Sequence, residues 1–237
     1  MEKHFKIRED LSMKYLGHTV YRIEALKDLS EHDVKKGDIG GWIEKEENLQ
    51  GNAWIADEAK VFDSAIVFGN AKVYNNAEIS DNAQVYGNAW VYDNAWIFGK
   101  AKVCEDAWVY GNAKVRDNAE IGDNAEIGDN AQVCGNARVY GNAWVYGNAT
   151  VCGGAEVCGA AQVSGDVLTW ENDCKNITGE EYDITITPNY IYISCHVHTK
   201  AEWWSFTDSE ILAMFGEDGL KWWKKWKPLL KGICEDE

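Results

Sequence analysis

The chain has 237 residues, of which 46% are hydrophobic, and its formal net charge is −16 at pH 7. A chain of this length can bury a sizeable interior, and it contains no apolar run long enough to span a membrane as a helix. Its acidic surface argues against direct binding to nucleic acid or to an anionic membrane.

Residues 1–42 are predicted to form an N-terminal cap. The stretch from Met13 to Ile23 has the alternation of a β-hairpin, with Gly17-His18 as its turn. Trp42 stands where the chain enters the repeats, and we expect its indole to plug the apolar axis. The opening residues Met1-Glu2-Lys3-His4 do not resemble a signal peptide, which favours a cytoplasmic location.

Residues 43–164 carry a strict repeat of six residues. An aliphatic residue falls at every sixth position from Ile55 to Val163, and an alanine precedes each one by two positions. Such a period is typical of a β-solenoid. Alternation along an extended segment points the alanine and the aliphatic residue inward, and Gly, Asp or Asn then makes the bend. Three units close one coil of eighteen residues, which predicts roughly seven coils in the mainly β rod.

The same spacing predicts two ladders between coils. Asparagines at one corner recur every eighteen residues and can hydrogen-bond along the rod: Asn76, Asn94, Asn112, Asn130 and Asn148. Cys134 and Cys152 are also eighteen residues apart and should be neighbours on an outer face. A disulfide is conceivable there, but an odd total of seven cysteines and the missing export signal favour reduced thiols.

Segments such as Ile121-Gly122-Asp123-Asn124-Ala125-Glu126 resemble the hexapeptide-repeat family of left-handed parallel β-helices. The resemblance implies a triangular solenoid and supplies its left hand, because parallel crossovers otherwise run right-handed. The repeat and the stretch from Cys195 to Trp204 are also similar to uncharacterised solenoid proteins of phages and gut bacteria, some labelled polymer-forming cytoskeletal. That similarity implies a mobile-element accessory protein that acts by binding.

The resemblance also raises the question of catalysis. Many hexapeptide-repeat proteins are acyltransferases with a histidine base on or beside the coils, and zinc hydratases of that architecture use histidine ligands. Here residues 33–195 contain no histidine, and the repeat frame admits no inserted loop. We therefore expect no catalytic residue, no cofactor and no metal. His196 and His198 share a strand face, but no third ligand has suitable spacing.

Outward positions of the coils carry many aromatic residues, and one face collects most of them. Its members are Trp54, Tyr74, Trp90, Tyr92, Trp108, Tyr110, Trp144 and Tyr146. An exposed patch of this kind exceeds what a monomer normally shows. It can pack against the chain's own cap or C-terminal segment, form a homo-oligomer interface, or bind a partner protein or a flat ligand.

An acidic belt follows further along the rod, without any Lys or Arg between residues 117 and 129. It consists of Asp117, Glu120, Asp123, Glu126 and Asp129. One interpretation is a solvated surface that keeps the rod soluble. The other is phosphate mimicry, in which a rod of duplex width occupies the basic groove of a nucleic-acid-binding protein.

Residues 165–237 leave the repeat and are predicted to form a small α+β domain. Tyr182–Thr187 and Tyr190–His198 alternate as a β-hairpin joined at Pro188-Asn189. Thr207 to Glu210 is a capping box that opens a helix through Phe215. A second helix starts near Asp218 and is kinked or ended by Pro228. The lysines and tryptophans from Lys221 to Lys227 suit an amphipathic helix that buries its tryptophans, or alternatively nucleic acid or a membrane surface.

These observations together favour a non-enzymatic, phage-related binding protein. We expect its acidic rod and aromatic face to dock on a host protein, of an immune or nucleic-acid-processing complex, and to inhibit it. Two alternatives stay open: a self-associating structural protein, and an atypical acyltransferase or small-molecule binder.

Overall fold

The computed structural model describes residues 3–164, 168–170, 175–177, 182, 184–187, 189–194 and 196–235. The chain begins with three strands, β1 (Phe5–Tyr15), β2 (His18–Ala25) and β3 (Ile39–Ile43). Short 3-10 turns lie at Ser30–His32 and Glu46–Asn48.

Nineteen very short strands follow, one in each six-residue unit. In chain order, β4 to β22 are Trp54–Ile55, Lys60–Val61, Ile66–Val67, Lys72–Val73, Glu78–Ile79, Gln84–Val85, Trp90–Val91, Trp96–Ile97, Lys102–Val103, Trp108–Val109, Lys114–Val115, Glu120–Ile121, Glu126–Ile127, Gln132–Val133, Arg138–Val139, Trp144–Val145, Thr150–Cys152, Glu156–Val157 and Gln162–Val163.

Every third strand pairs in parallel with its neighbour in the next coil, so the solenoid has three flat faces. Face one is the seven-stranded sheet β4-β7-β10-β13-β16-β19-β22. Face two contains β5, β8, β11, β14, β17 and β20, and face three contains β6, β9, β12, β15, β18 and β21. Seven strands on face one correspond to seven coils, which confirms the predicted parallel β-solenoid.

The interior is filled by the repeated alanine and aliphatic residue. Residues such as Ala89, Val91 and Ile97 have no exposed surface. Burying one valine or isoleucine side chain contributes about 1.5–3 kcal/mol, and dozens of such side chains form one continuous core. The core therefore fixes which side chains point outward: the first residue of each strand and the residue after the strand.

Each corner needs a residue with positive φ and a partner for its backbone N–H. At Asp93 φ is 58°, and its carboxylate accepts a hydrogen bond of 3.2 Å from the Gly111 N–H one coil above. The predicted asparagine ladder is confirmed at the next position. Its side-chain hydrogen bonds measure 3.4, 3.3, 3.1 and 3.1 Å and join Asn76, Asn94, Asn112, Asn130 and Asn148.

The N-terminal cap extends face two instead of plugging the axis. Strand β2 pairs with β1 and β3, and β3 continues in parallel onto β5. The predicted hairpin is present, but its turn lies at Leu16-Gly17, where both residues have positive φ. The prediction for Trp42 is wrong: alternation along β3 points Ile43 inward and the Trp42 indole outward, where it donates a hydrogen bond of 3.0 Å to Glu58.

The C-terminal region begins with β23 (Leu168–Trp170), which adds to face two. A four-stranded antiparallel sheet follows: β24 (Lys175–Ile177), β25 (Ile184–Ile186), β26 (Tyr190–Ile193) and β27 (His196–Thr199). The pairing of β25 with β26 confirms the predicted hairpin, although Pro188 lies outside the described residues. The predicted run from Tyr190 to His198 is two strands, because the chain turns at Ser194, where φ is 54°.

Two helices cover one side of this sheet, α1 (Lys200–Ser205) and α2 (Asp208–Glu235). The predicted capping box is present, since the Thr207 N–H donates to Glu210 at 2.8 Å. Helix α2 is broken at Gly216, where φ is 73°, so two helical segments exist as expected. Pro228 does not end the second segment, because Leu230 continues it and is fully buried in the domain core.

The other side of this sheet closes the last coil. Tyr192 is 3% exposed and belongs to the same apolar cluster as the solenoid interior. Its hydroxyl donates a hydrogen bond of 3.1 Å to the Ser164 carbonyl. The unpaired end of a β-solenoid must be covered to prevent association, and this tyrosine provides part of that cover.

The expectation of reduced thiols at Cys134 and Cys152 is wrong. The structure joins them in a disulfide, with their Cα atoms 4.6 Å apart. Both follow the last aliphatic residue of in-register strands on face two, so their side chains leave the sheet side by side. Parallel neighbours at this spacing lie within the distance range that a disulfide spans.

Candidate binding surfaces

Face one carries two parallel ladders of aromatic rings. The indoles of Trp90 and Trp108 stack with centroids 5.2 Å apart and planes inclined by 7°. The tyrosine ladder runs beside them, with centroid distances of 5.0 Å from Tyr74 to Tyr92 and 5.3 Å from Tyr92 to Tyr110. Because the rings stack along the rod axis, they turn their edges toward solvent.

In-register pairing is what brings these residues together. Trp90 pairs with Trp108, Trp108 with Glu126, and Glu126 with Trp144. Trp108 and Trp144 are 40% and 45% exposed, whereas Trp90 and the tyrosines are intermediate. Burial raises the pKa of Tyr92 to about 12.

Trp54 is placed on face one but is not part of its exposed surface. Its side chain is only 4% exposed, and it belongs to the core cluster. Gly40 in β3 approaches so closely that a Cβ there would lie 2.6 Å from the indole. The N-terminal cap therefore covers this tryptophan, and its assignment to a protein-binding site requires correction. Tyr146 continues the tyrosine ladder beyond a gap at Gly128.

The five residues of the acidic belt do not lie along one line. Asp117, Asp123 and Asp129 occupy the three different corners, each with a φ between 53° and 63°. Their carboxylates accept hydrogen bonds of 3.1, 2.8 and 3.0 Å from glycine N–H groups one coil above. These acids encircle the rod and hold its corners.

The two glutamates of the belt differ from each other. Glu120 on face three accepts a hydrogen bond of 2.8 Å from Lys102 and lies 3.7 Å from Arg138, and the Lys102 hydrogen bond lowers its pKa. Glu126 lies on face one between Trp108 and Trp144. Among the residues that the structure describes, none places a cationic nitrogen within ion-pair distance of Glu126.

Face three contains an open cavity of about 410 Å³. The aromatic stack of Phe68 and Tyr86, with centroids 4.8 Å apart, stops where Cys104 and Gly122 follow. The missing side chain of Gly122 leaves a hollow that Tyr140 closes further along, and Lys102, Glu120 and Arg138 form its rim. A hydrogen bond with Cys104 raises the pKa of Tyr86 to about 12, and burial raises the pKa of the Cys104 thiol.

His18 lies at the junction of the cap and the first coil. Its Nδ1 is 3.0 Å from Glu44, and its Nε2 is 3.5 Å from Asp63. The hydrogen bond to Glu44 raises the pKa of His18, because the carboxylate favours the imidazolium. One ligand atom from each residue lies within 4.8 Å of the others, so the three could also hold a divalent cation.

The histidines of the C-terminal sheet are used in packing. The ring of His196 packs edge-on against Phe215 at 4.7 Å, and that of His198 contacts Trp203 at 5.1 Å and Phe206 at 4.8 Å. Cys195, which precedes His196, lies outside the described residues. None of the helices in the described part of the chain is long and apolar enough to cross a bilayer.

The tryptophans of α2 face the domain core. Trp222 and Trp223 are 6% and 2% exposed, while Lys221 and Lys224 are exposed. This arrangement confirms the amphipathic interpretation of the segment.

Two models of known repeat families match parts of the chain. The model described as "Bacterial transferase hexapeptide (six repeats)" matches residues 100–135. The YdcK β-solenoid repeat matches residues 83–99 and 131–147. The solenoid is built of hexapeptide repeats. Because the hexapeptide-repeat family includes acyltransferases, the match is compatible with an enzymatic role. The search of curated proteins finds no match.

Two features of the structure, the face-three hollow and the His18 cluster, were not predicted from the sequence. The face-three hollow had a signal, because the eighteen-residue spacing places Gly122 between Cys104 and Tyr140. The His18 cluster had none, since it depends on how the antiparallel hairpin folds back over Glu44 and Asp63.

Proposed function

We propose that this chain is a non-enzymatic binding protein whose hexapeptide solenoid docks a protein partner through face one. The observation that carries the proposal is the exposed part of the face-one ladders, around Trp108 and Trp144. Tryptophan and tyrosine are the usual anchors of protein interfaces, because they bury a large area at a low cost in conformational entropy. In its specific form, the proposal states that the partner is a host protein and that the docked rod inhibits it.

The rigidity of the face supports this role. Each aromatic side chain projects from a strand whose neighbours are fully buried, and the rings already stack on one another. A surface that is ordered before binding loses little entropy when the partner arrives. The proposal rests on the aromatic face and not on the acidic belt, because the belt aspartates bond the corners of the next coil.

The test compares stacked aromatic pairs on two faces. The double variant Trp90→Ala with Trp108→Ala removes the indole pair from face one. The matched control, Phe68→Ala with Tyr86→Ala, removes a stacked pair of similar spacing from face three. In affinity capture from a host lysate, we expect a protein that the wild type and the control retain and that the face-one variant loses.

The proposal fails if the folded face-one variant retains the same proteins as the wild type. Circular dichroism and thermal unfolding establish that each variant is folded. Inhibition is then assayed with the purified partner and its own activity. Full activity of the partner in the saturated complex would contradict the inhibitory form of the proposal.

A second candidate function is small-molecule binding at the face-three hollow, including acyl transfer. The cavity volume of about 410 Å³ favours it, since it falls within the usual range for ligand sites. Native mass spectrometry with acyl-coenzyme A and nucleotides tests this candidate. Binding that Gly122→Leu abolishes would support it, and the absence of any adduct would count against it.

A further inference from the structure

The tryptophan ladder of face one has one missing rung. Strand pairing aligns Trp90, Trp108, Glu126 and Trp144 at successive levels. Trp90 and Trp108 stack, but a glutamate occupies the next level before the indole returns at Trp144. Since neighbouring strands are about 4.8 Å apart, the two indoles flank an opening of about 9.6 Å. We name this opening the Glu126 slot.

The Glu126 slot is closed on the side of Gly128 and open to solvent between its two flanking indoles. Gly128 lies beside Glu126 and is buried, because the ring of Tyr110 leans over it; a Cβ at Gly128 would lie 2.6 Å from that ring. The two flanking indoles are the most exposed large aromatic side chains of the face, at 40% for Trp108 and 45% for Trp144. The slot is therefore apolar on its walls, open to solvent, and carboxylate-bearing at its base.

Charge selects the occupant of such a slot. An uncharged group would cover the Glu126 carboxylate without compensating it, and burying an unpaired charge is costly. A cation instead meets a carboxylate below and the electron-rich faces of two indoles at its sides. The same ladder already shows this preference nearer the N-terminal end of the face, where the ammonium of Lys72, one level below Trp90, lies 4.5 Å from the centroid of the Trp90 ring. The net charge of −16 acts in the same direction.

The shape of the slot favours a flat cation. A planar group in contact with both indoles needs about 3.5 Å to each ring, or about 7 Å in all, so it enters the opening of about 9.6 Å and contacts both rings once their side chains lean toward it by about 2.6 Å together. A guanidinium is planar, stacks on aromatic faces and offers paired N–H donors to a carboxylate. We propose that the Glu126 slot receives an arginine side chain of the protein partner, stacked between Trp108 and Trp144 and hydrogen-bonded to Glu126. This inference rests on the proposed function and names the chemistry of its anchor.

The experiment uses the full-length chain and a capped peptide, acetyl-Gly-Gly-Arg-Gly-Gly-amide. The same peptide with citrulline, which has nearly the same shape without the charge, is the first control, and the lysine peptide is the second. Titration is followed through the indole N–H resonances in two-dimensional NMR, assigned with Trp108→Phe and Trp144→Phe. We expect the arginine peptide to shift both resonances and the citrulline peptide to leave them unchanged.

Glu126→Gln keeps the size of the side chain and should lower the affinity for the arginine peptide about fivefold. Glu9→Gln removes an exposed carboxylate of β1 in the N-terminal cap and should leave the affinity for the arginine peptide unchanged. Equal responses to the arginine and citrulline peptides, or unchanged affinity in Glu126→Gln, would overturn the cationic site. A lysine peptide that binds as tightly as arginine would overturn the guanidinium assignment.

The outcome separates the slot from the broader proposal. A captured partner that Trp90→Ala with Trp108→Ala loses, but Glu126→Gln retains fully, leaves the proposed function standing and removes the arginine anchor. A partner that the face-one double variant retains removes the proposed function itself.

Discussion

The Asp129 carboxylate accepts a hydrogen bond of 3.0 Å from the Gly147 N–H, while the Asp129 backbone holds a φ of 54°. Aspartate and asparagine tolerate this conformation better than other residues with a Cβ. The acidic character of the corner is thus a by-product of backbone chemistry. Charge reversal at Asp117, Asp123 or Asp129 would disturb the corners together with the surface field, so asparagine is the appropriate substitution for testing acidity.

We expect Asp129→Ala to destabilise the protein by about 1–2 kcal/mol, because the hydrogen bond is lost and alanine tolerates the positive φ poorly. Asp129→Asn retains an acceptor oxygen and should change the stability far less. Urea unfolding of both variants checks the difference. Equal losses for alanine and asparagine would show that the charge itself, and not the corner geometry, stabilises this position.

His18 provides a prediction about pH. Its folded-state pKa is raised, primarily by the hydrogen bond to Glu44 and further by Asp63. A raised pKa of a base stabilises the fold below the unfolded value of about 6.5, and this stabilisation is lost as the pH rises through the folded value. His18→Gln should therefore lower the melting temperature more at about pH 6 than at about pH 9.

Thermal unfolding of the wild type and His18→Gln at both pH values provides the measurement. His4 and His32, whose pKa values are lowered by burial, are present in both proteins and so cancel in the comparison. A melting-temperature difference that is the same at both pH values would contradict the imidazolium bridge.

Within one sheet of the solenoid, a large side chain in one coil can pack over a glycine in the next coil. Tyr110 lies over Gly128 on face one, whereas a Cβ added at Gly122 on face three would meet only ordinary contacts, the nearest being Cys104 Sγ at 3.4 Å. A glycine at this position of the repeat can therefore either be covered by an aromatic ring from the neighbouring coil or line an open hollow. The side chain one level below decides which.

Gly128→Ala should cost about 1–3 kcal/mol, because the new methyl group displaces the Tyr110 ring. Gly122→Ala is the matched control and should lie within about 0.5 kcal/mol of the wild type. Adding Tyr110→Ala to Gly128→Ala should remove most of the penalty in a double-mutant cycle, measured by urea unfolding. Equal costs for the two glycine variants would contradict this packing.

The elements also show where sequence reasoning was sufficient. The coils could be predicted because the repeat is six residues long without interruption. If the side chains of Ile55 and Val163 point inward, every sixth side chain between them points inward as well. The same frame contained the signal that Trp42 points outward, because its neighbour Ile43 is inward. Helix α1 had a signal as well, in the capping box formed by Thr199 and Glu202.

Other features depend on contacts distant in sequence. Trp54 fits the exposed ladder by period, yet the cap folds over it through an antiparallel register that no local pattern specifies. The turn at Ser194 interrupts an unbroken alternation of strand-forming residues. Within the candidate site, the period alone places Trp90, Trp108 and Trp144 in line, but their exposure depends on the residues at neighbouring levels, because Lys72 and Trp108 both contact the Trp90 ring.

On the scale of the whole molecule, both ends of the rod are closed by structure outside the repeat. The N-terminal hairpin extends face two, and Tyr192 covers the last coil. Such cover discourages coils from joining end to end. Self-association through the flat faces is a separate matter, which light scattering over a concentration series addresses directly.

Tyr192→Phe should cost about 1 kcal/mol through the lost hydrogen bond to the Ser164 carbonyl. Tyr192→Ala should cost about 3–5 kcal/mol and expose the last coil, so that the protein self-associates. Urea unfolding and light scattering measure the two effects. A strictly monomeric, undiminished Tyr192→Ala protein would show that this side chain is dispensable for closing the rod.

The closure of each coil after eighteen residues limits how such a rod can change its length. Duplicating one six-residue unit between Trp108 and Trp144 would rotate everything downstream by a third of a revolution, and the two residues would then lie on different faces of the prism. Duplicating three units would lengthen the molecule and leave every side continuous. Length changes that preserve the faces should therefore add or remove three units at a time. Variants with one or two extra units between Trp108 and Trp144 would keep the prism but divide its aromatic residues between two faces.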